Sequence, residues 1–580
     1  MQPSRAVRYA PPAMSLLRAL DKRFADFMTR HRVGVIVGFC LPASKLFDLG
    51  NKARQWVQRR QSSPADHDVR VQAIQQQVKA WAAQPAEERL PMCTDRAPWV
   101  NLSTRFVDKN ALHRIRMGNL RSILRIDEDA RTVTVEPLVT VGEITRELVA
   151  RGYMLAVTLE VEDATVGGLA MAVGMTTHSH KVGLYQETVV AYELVCGDGR
   201  VVRATADEHA DLFRALPWSH GTLGFLVSLE IKIIPIKSHV RLRYEPVRSQ
   251  VEYCARLHEL SCGEDRPDFV EATIFSKEEA VVMSGEFATP TTPDELARVN
   301  PVNRWHKPWF FEHVRSFLAT EGGGEEFVPL RDYLHRHDRA IFWTLRDMIP
   351  FGNHPLFRWT LGWMCPPKIQ FLKLTTTPGI RELTFTKQVF QDIVLPLNSL
   401  PRAIELSEHL FDIYPVLVYP CAIFDHGEHS GQLRPPRPDT RVPGTAIPGG
   451  PGGSSPAAPR AFGMYNDLGV YGVPAAVKRG EPYNATLAMR AMEHFTREVG
   501  GYSFLYADTF MTEDELREMF DHTLYDRVRK AYGAEGAFPS LYEKTKPEID
   551  VIAIGNTTGA DLRTEGRGSR GERTGDEILH

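Results

Sequence analysis

An α+β fold organised in several domains is what the sequence predicts, on three observations. Alternating apolar and polar residues mark strands at Arg131-Thr-Val-Thr-Val-Glu136 and Phe225-Leu-Val-Ser-Leu-Glu-Ile-Lys-Ile-Ile-Pro235. Between them Thr140-Val-Gly-Glu143 is a capping box that opens a helix carrying Ile144, Leu148 and Val149. No G-x-G-x-x-G opens a strand-to-helix turn, which excludes a Rossmann-type dinucleotide site. With 580 residues, 43% of them hydrophobic, the chain can bury large cores.

In chain order, Arg30-His-Arg32 precedes an apolar run, Val33 to Leu41, that Pro42 closes. A helix spanning a bilayer needs about 20 apolar residues, so this run of about ten is too short to span alone, and a docked amphipathic helix is one reading of it. Val71, Ile74, Val78 and Trp81 recur at spacings of three and four, one apolar stripe of a helix ending before Pro85. After the capped helix come a strand at Val189–Val195, a hairpin at Gly197-Asp-Gly199 and the long strand Phe225–Pro235, whose proline ends the ladder. From Lys237 to Val499 the composition is aromatic-rich and broken by Gly and Pro, which predicts an irregular domain. Inside it the stretch 427–460, with Arg434-Pro-Pro-Arg-Pro and Gly449-Gly-Pro-Gly-Gly-Ser-Ser455, predicts a disordered insertion. Helices are expected at Glu513–Phe520 and Leu524–Tyr532, and a disordered tail at 557–580.

Charge and cysteine usage exclude other classes. Lys+Arg 69 against Asp+Glu 72 leaves a formal net charge of −3, with no basic excess for a nucleic-acid backbone. The seven cysteines contain no C-x-x-C, so neither a zinc site nor a disulfide framework is written, and no metal is expected. They read as reduced thiols facing the cytosol.

The chemistry concentrates between Glu160 and Phe225. Thr165-Val-Gly-Gly168 places two residues without Cβ atoms in succession, so backbone N–H groups there can approach a pyrophosphate or a flavin ring closely. Leu169, Ala170, Met171, Ala172, Val173, Gly174, Met175, Thr176 and Thr177 continue that segment, and Ser179-His-Lys181 and Gly183 follow. Trp218, Gly221, Thr222 and Gly224 offer a second close backbone approach. In this order they form a flavin-binding signature, with Thr165, Val166, Gly167 and Gly168 at its centre.

Those residues carry a family resemblance. Glu162-Asp-Ala-Thr-Val-Gly-Gly168, Ser179-His-Lys-Val-Gly-Leu-Tyr-Gln186, Asp211-Leu-Phe-Arg-Ala-Leu-Pro-Trp218, Trp363-Met-Cys-Pro-Pro-Lys368 and Leu505-Tyr-Ala-Asp508 resemble the delta(24)-sterol reductases, FAD enzymes of the vanillyl-alcohol-oxidase type. The resemblance implies a two-part FAD-binding domain of that type, an α+β cap domain and a short N-terminal membrane-anchor segment. The corresponding boundaries are an anchor at 1–60, the FAD domain at 61–236, the cap at 237–499, a returning segment at 500–556 and the tail. It further implies NADPH as reductant, a sterol or other apolar lipid as substrate, and membrane association with the catalytic domain in the cytosol, at the endoplasmic reticulum in a eukaryotic host. Many relatives in the wider superfamily tether FAD through a histidine in an early loop. Met92-Cys-Thr-Asp-Arg-Ala-Pro-Trp99 stands there instead, so FAD is expected to be non-covalent.

An isolated trisubstituted alkene has no carbonyl to polarise it, so its reduction needs a proton on the less substituted carbon and hydride on the tertiary one. Candidate acids are His180, Tyr185, Tyr506 and Asp508. Trp343, Phe351, Phe357, Trp359, Trp363 and Met364 are candidates to line an apolar pocket or face a membrane, with ordinary core as the other reading. A reductase of unsaturated or methylene fatty acyl lipids and a non-catalytic, flavin-retaining lipid-binding scaffold are the alternatives.

Overall fold

The computed structural model describes residues 12–60, 62–105, 109–442 and 461–546. A two-stranded parallel ribbon, β1 (Met92–Thr94) against β2 (His113–Ile115), lies beside a smaller antiparallel sheet. That sheet contains β3 (Ile123–Asp127), β4 (Thr132–Val135), β5 (Tyr153–Leu155), β6 (Val189–Val195), β7 (Val201–Thr205) and β8 (Phe225–Pro235). Its order is β3-β4-β8-β6-β7, with β5 pairing the far end of β8. β8 is central because Phe225, Val227, Leu229, Ile231 and Ile233 all bury their side chains, as the alternation predicts.

The predicted helices form around this sheet. Helix Val141–Val149 starts at a closed capping box: Glu143 N donates to Thr140 Oγ1 (3.3 Å) and Thr140 N to Glu143 Oε2 (2.9 Å). Helix His67–Ala82 buries Val71, Ile74, Val78 and Trp81. Its first turn is pinned to the sheet through the fully buried Glu136, with His67 Nδ1 at 2.8 Å and Arg70 Nε at 3.1 Å from Oε1. Helix Val166–Met171 packs tightly, since a Cβ on Gly167 would lie 2.4 Å from Pro137 Cβ.

The region expected to be irregular, joined by the start of the returning segment, holds an eight-stranded sheet. Its strands are β9 (His239–Val247), β10 (Phe269–Ser276), β11 (Glu279–Ala288), β12 (Gly324–Pro329), β13 (Val389–Pro396), β14 (Val416–Phe424), β15 (Phe462–Gly472) and β16 (Tyr502–Ser503). They run in the order β12-β9-β11-β10-β14-β15-β13-β16. Every residue of β14 and nearly every residue of β15 is buried, so no polar face breaks the apolar run and period two is invisible in the sequence. One face, including Ala272, Ile393, Val418 and Leu468, packs under helices Gln250–Cys262, Leu400–Leu410 and Ala485–Glu498. The pairs Asp392↔Gly469, Leu417↔Gly469, Tyr419↔Asp467 and Thr273↔Leu417 set Asp392, Asp467, Tyr471, Tyr419, Thr273 and Glu271 on the other face. That face adjoins the core of the smaller sheet, which includes Tyr419, Cys421 and Tyr465.

After β16 the chain returns to the smaller sheet. Helices Glu513–Met519 and Thr523–Ala531 lie within a residue of their predicted bounds. Tyr525 OH meets Thr222 Oγ1 at 2.6 Å, and Met92 N donates to Ala537 O at 2.7 Å, which closes the β1–β2 ribbon against the sheet.

Two expectations are corrected or bounded. Residues 427–442, assigned to a disordered insertion, are ordered: Arg434 N donates to Tyr502 OH (2.9 Å) and Arg441 bridges Gly463. An extended Pro-rich segment needs no ladder of its own when neighbouring side chains take its polar groups. Residues 443–460 and the tail 557–580 lie outside the described residues. At the N-terminus, helical structure runs Pro12–Arg30, Arg32–Val35, a π turn Ile36–Cys40, and Leu41–Arg60.

Candidate functional site

A cavity of about 730 Å³ opens between the β1–β2 ribbon, helix Val166–Met171, loop 218–224 and the segment from Asp508 to Lys546. That lies within the range of small-molecule clefts, about 300–1,000 Å³. Helix Val166–Met171 presents Gly168 to it, and a Cβ there would meet only Thr165 Oγ1 at 3.0 Å before entering open space. Loop 218–224 turns sharply: Trp218, His220 and Gly221 take positive φ values of 65°, 52° and 73°. Two of these are not glycine, a conformation held only when neighbours over-determine it. Here Trp218 N donates to Ala172 O (3.0 Å) and His220 N to Met171 O (2.7 Å), which aims His220 and Gly221 at the cavity. His220 Nε2 is buried without a hydrogen-bond partner, and burial with the charges of Arg105 and Lys544 pushes its pKa down to about 3.

The cavity wall is cationic. Arg96, Arg105, Lys109, Arg381, Lys544 and Lys546 line it, against Asp508 and Glu543. Asp508 is paired with Arg381 (Oδ1–Nη2 2.9 Å). Desolvation, then the charge of Lys109, pushes Lys544 down to about 8, and burial pulls Arg96 to about 10. Cations crowded together in a partly dry site are relieved by an anion. The residues present thus suit a ligand with a pyrophosphate and a flat apolar ring: cationic walls, a glycine cradle that a side chain would fill, and an orphaned imidazole nitrogen.

The predicted cofactor-binding residues divide into two groups. Thr165, Gly167, Gly168, Met171, Ala172, Gly221 and Gly224 reach the cavity. Val166, Leu169, Ala170, Val173 and Met175 are core, and a Cβ on Gly174 would touch Leu169 and Tyr185. Thr176 N donates to Ser179 Oγ (3.0 Å), and Thr177 Oγ1 accepts from Tyr333 OH (3.1 Å) toward the larger sheet. Gly183 abuts Phe424, and the Trp218 ring stacks on Phe504 while Nε1 donates to Gln186 Oε1 (2.9 Å). Thr222 is held by Tyr525. The loop Met92–Trp99 contributes Met92, Cys93, Thr94, Arg96 and Ala97 to the wall.

The candidate acids also separate. His180 is fully buried, with Nδ1 3.1 Å from Thr177 O and Nε2 2.9 Å from Pro267 O. Burial and the neighbouring His178 lower its pKa to about 3, so it braces the loop against the larger sheet rather than facing the cavity. Tyr185 OH is buried with no hydrogen-bond partner, and burial raises its pKa. Asp508 holds Arg381 on the cavity wall. Tyr506, two residues earlier, directs its hydroxyl the other way, donating to Asp392 Oδ2, while Tyr471 OH donates to Asp392 Oδ1.

Around Asp392 lies a group of acids that sequence reasoning missed. Burial raises Asp392 to about 6 despite both phenols, and raises Glu160 to about 7 against the pull of Arg336. Asp467 is buried, its Oδ1 has no hydrogen-bond partner, and desolvation followed by the charges of Asp392 and Glu160 drives its pKa well up. Ionising one of these carboxyls opposes ionising the next, so the group holds a proton at neutral pH. Glu271 stays ionised in a fully buried bidentate pair with Arg336 (2.8 and 3.1 Å). An acid embedded in an apolar run, as in Gln391-Asp392-Ile-Val394 and Asn466-Asp467-Leu468, is the signal that could have found two of them. The segment 504–509 therefore joins two places, a cationic cavity at Asp508 and Thr509 and a proton-holding cluster at Tyr506.

Of the candidate apolar residues, Trp343 and Phe357 are buried, with Trp343 Nε1 donating to Tyr471 O (2.8 Å). Phe351, Trp359 and Trp363 are exposed, and Met364 packs partly buried on the core. Among the described residues no group of His, Cys, Asp or Glu is arranged to hold a metal ion. The seven cysteines are free thiols.

Comparison with known proteins gives three results. A family model described as an FAD binding domain matches residues 101–205. The chain is 41% identical over 542 residues to a delta(24)-sterol reductase of Homo sapiens, covering 93% of this chain and 98% of that protein. It is 35% identical over 542 residues to a delta(24)-sterol reductase of Arabidopsis thaliana, covering 90% and 93%, and 31% identical over only 123 residues to L-gulonolactone oxidase of Mus musculus.

Proposed function

The chain belongs to the delta(24)-sterol reductase family, and from that premise we propose that it reduces the delta(24) side-chain double bond of a sterol, using FAD held non-covalently and NADPH as reductant. The observation that carries this reading is the segment 504–509, which sets a proton-holding cluster beside a cationic cavity. FAD, when bound, supplies hydride to the tertiary carbon of the alkene. Lys544, Lys109, Arg96 and Arg105 would hold its pyrophosphate, and Gly168 and Gly221 leave the backbone open to it.

The protein's own part is the proton. While Asp392 is ionised it accepts from both Tyr471 and Tyr506, and neither phenol proton is available. Once Asp392 is protonated, its carboxyl donates to the Tyr506 oxygen and frees the Tyr506 proton for the less substituted carbon of the alkene. As that O–H breaks, the Asp392 proton passes to the phenolate oxygen, leaving the carboxylate to be reprotonated through Asp467 and Glu160. The proton from solvent and the hydride equivalent from NADPH balance the two hydrogens added. In this reading the larger sheet is the substrate cap of a vanillyl-alcohol-oxidase-type fold, with Trp343 part of its apolar wall. The protein works at a membrane from which its substrate partitions, with the catalytic bulk in the cytosol and at the endoplasmic reticulum in a eukaryotic host.

Supplying desmosterol and NADPH to the flavin-loaded protein tests the reading. Accumulation of cholesterol, with an unsaturated fatty acyl lipid left unchanged under the same conditions, is expected. Reduction of the acyl lipid alone, or flavin reduction by NADPH without loss of any alkene, overturns it.

A further inference from the structure

The N-terminal helices expose an apolar stripe in addition to the apolar residues that they bury. In a helix docked on a soluble protein the apolar stripe faces inward, yet here Ser44 and Asp48 face the protein while Phe39, Leu46, Leu49 and Trp56 face outward, 62%, 71%, 55% and 55% exposed. These four positions are spaced by seven, three and seven residues, which keeps them on one side of the helix, away from Ser44 and Asp48. The inner side is tied down along its length. Gly379 N donates to Asp21 Oδ2 and Lys368 N to Ser44 Oγ, each at 2.7 Å, and Lys368 Nζ lies 3.9 Å from Asp48 Oδ1. Ala25 and Leu41 are fully buried, and the Phe47 ring contacts Trp99 and Phe371 at 5.8 and 5.7 Å.

By length and composition Arg32–Gln58 is the one helix among the described residues that could cross a bilayer. Its inner side contacts the protein at Leu41, Ser44, Phe47 and Asp48, which leaves no complete ring of lipid around that stretch. The outward stripe also does not end at the helix. Lys45 Nζ sits 6.0 Å from the Trp363 ring, and Leu356, Trp359 and Trp363 continue the apolar surface onto the 355–364 segment. Charge identifies what covers this surface: residues 12–60 carry ten Lys and Arg against three Asp, in a chain of net charge −3. Two of those three acids, Asp21 and Asp48, bond inward to Gly379 and Lys368.

We propose that helix 32–58 lies in the plane of an anionic lipid bilayer without crossing it, and that Leu356, Trp359 and Trp363 of the larger domain form the second half of the same membrane-binding face. Apolar side chains enter the acyl boundary while the flanking cations meet lipid phosphate. Lys368 couples this face to the flavin loop, since its Nζ also bonds Asp163 Oδ2 (2.8 Å), two residues before Thr165. The inference stands apart from the reductase chemistry, because its readout is binding.

The full flavin-loaded chain is sedimented with vesicles of phosphatidylcholine, alone or mixed with phosphatidylserine. Binding is expected to strengthen with phosphatidylserine, and Leu356→Ser/Trp359→Ser/Trp363→Ser is expected to lose about tenfold or more in partitioning with its flavin content unchanged, these side chains being exposed. On sealed vesicles carrying bound protein, Arg30→Cys and Gln58→Cys are both expected to react with an impermeant maleimide, measured above the parent chain's own labelling. Protection of one of them indicates a span and overturns the proposal, as does wild-type binding by the triple variant. A dimer in vesicle-free buffer that the triple variant abolishes assigns the face to self-association and overturns it too.

Discussion

Asp392→Asn and Tyr506→Phe are each expected to slow the sterol-dependent oxidation of reduced flavin by about 10²–10⁴-fold, the range that a positioned proton donor contributes. Reduction of the flavin by NADPH is expected to stay within a few-fold of wild type, because neither side chain lines the cavity. Stopped-flow absorbance of the two half-reactions separates the effects. Equal slowing of both assigns Tyr506 a positioning role and removes it as the donor. The pH dependence has a defined sign: burial raises Asp392 to about 6 and Glu160 to about 7, so the protonated, donating form is populated below those values and lost as pH rises through them. The alkene half-reaction is therefore expected to fall from pH 6 to 8 while the NADPH half-reaction stays flat across the same window. In Asp392→Asn the fall is expected to flatten. His180→Ala, by contrast, is expected to affect flavin retention and stability together, since the buried neutral ring packs between Thr177 O and Pro267 O and donates its one N–H there.

Gly168→Val is expected to abolish flavin retention, while Gly167→Ala chiefly destabilises the fold. The two glycines are adjacent and both line the cavity, but an added side chain meets different neighbours at each. A side chain at 168 projects past Thr165 into the cavity, whereas one at 167 collides with Pro137 at 2.4 Å. Overpacking of that kind costs about 1–3 kcal/mol, which thermal unfolding of the flavin-free protein reads directly. Lys544→Met is expected to combine weaker flavin retention with an unchanged or higher unfolding temperature of the flavin-free chain, because it removes a charge that burial and Lys109 disfavour. Acid precipitation of the wild type is expected to leave FAD in the supernatant, since Met92–Trp99 presents no histidine to the cavity. Full flavin occupancy in Gly168→Val contradicts the placement of the cavity.

Much of the smaller sheet and its helices was legible because each element announced itself locally. The capping box at Thr140 and the stripe Val71-Ile74-Val78-Trp81 need only their own sequence neighbours. The glycine loop was legible as a cofactor loop, but not which of its residues face the cavity. Gly167 and Gly168 look alike in sequence, and only Pro137, about thirty residues upstream, distinguishes them. The larger sheet was hidden because β14 and β15 are buried on both faces. With it were hidden Asp392 and Asp467, which meet only through strand pairing across 75 residues. Lys544 and Lys109 escaped notice as ordinary surface residues until the C-terminal segment folded back over the β1–β2 ribbon. His180 was favoured from its place in the Ser-His-Lys run; its two carbonyl neighbours explain that place as architecture.

The central claim is that one hydrogen reaches the tertiary carbon from NADPH by way of the cavity and the other reaches its neighbour from the cluster around Tyr506. Isotope labelling of a single turnover of desmosterol tests it most directly, run fast enough that flavin hydrogens do not exchange with water. With deuterated NADPH in ordinary water the label is expected at the tertiary carbon, and with ordinary NADPH in heavy water at the adjacent carbon. Solvent label at the tertiary carbon, with NADPH label beside it, contradicts the account.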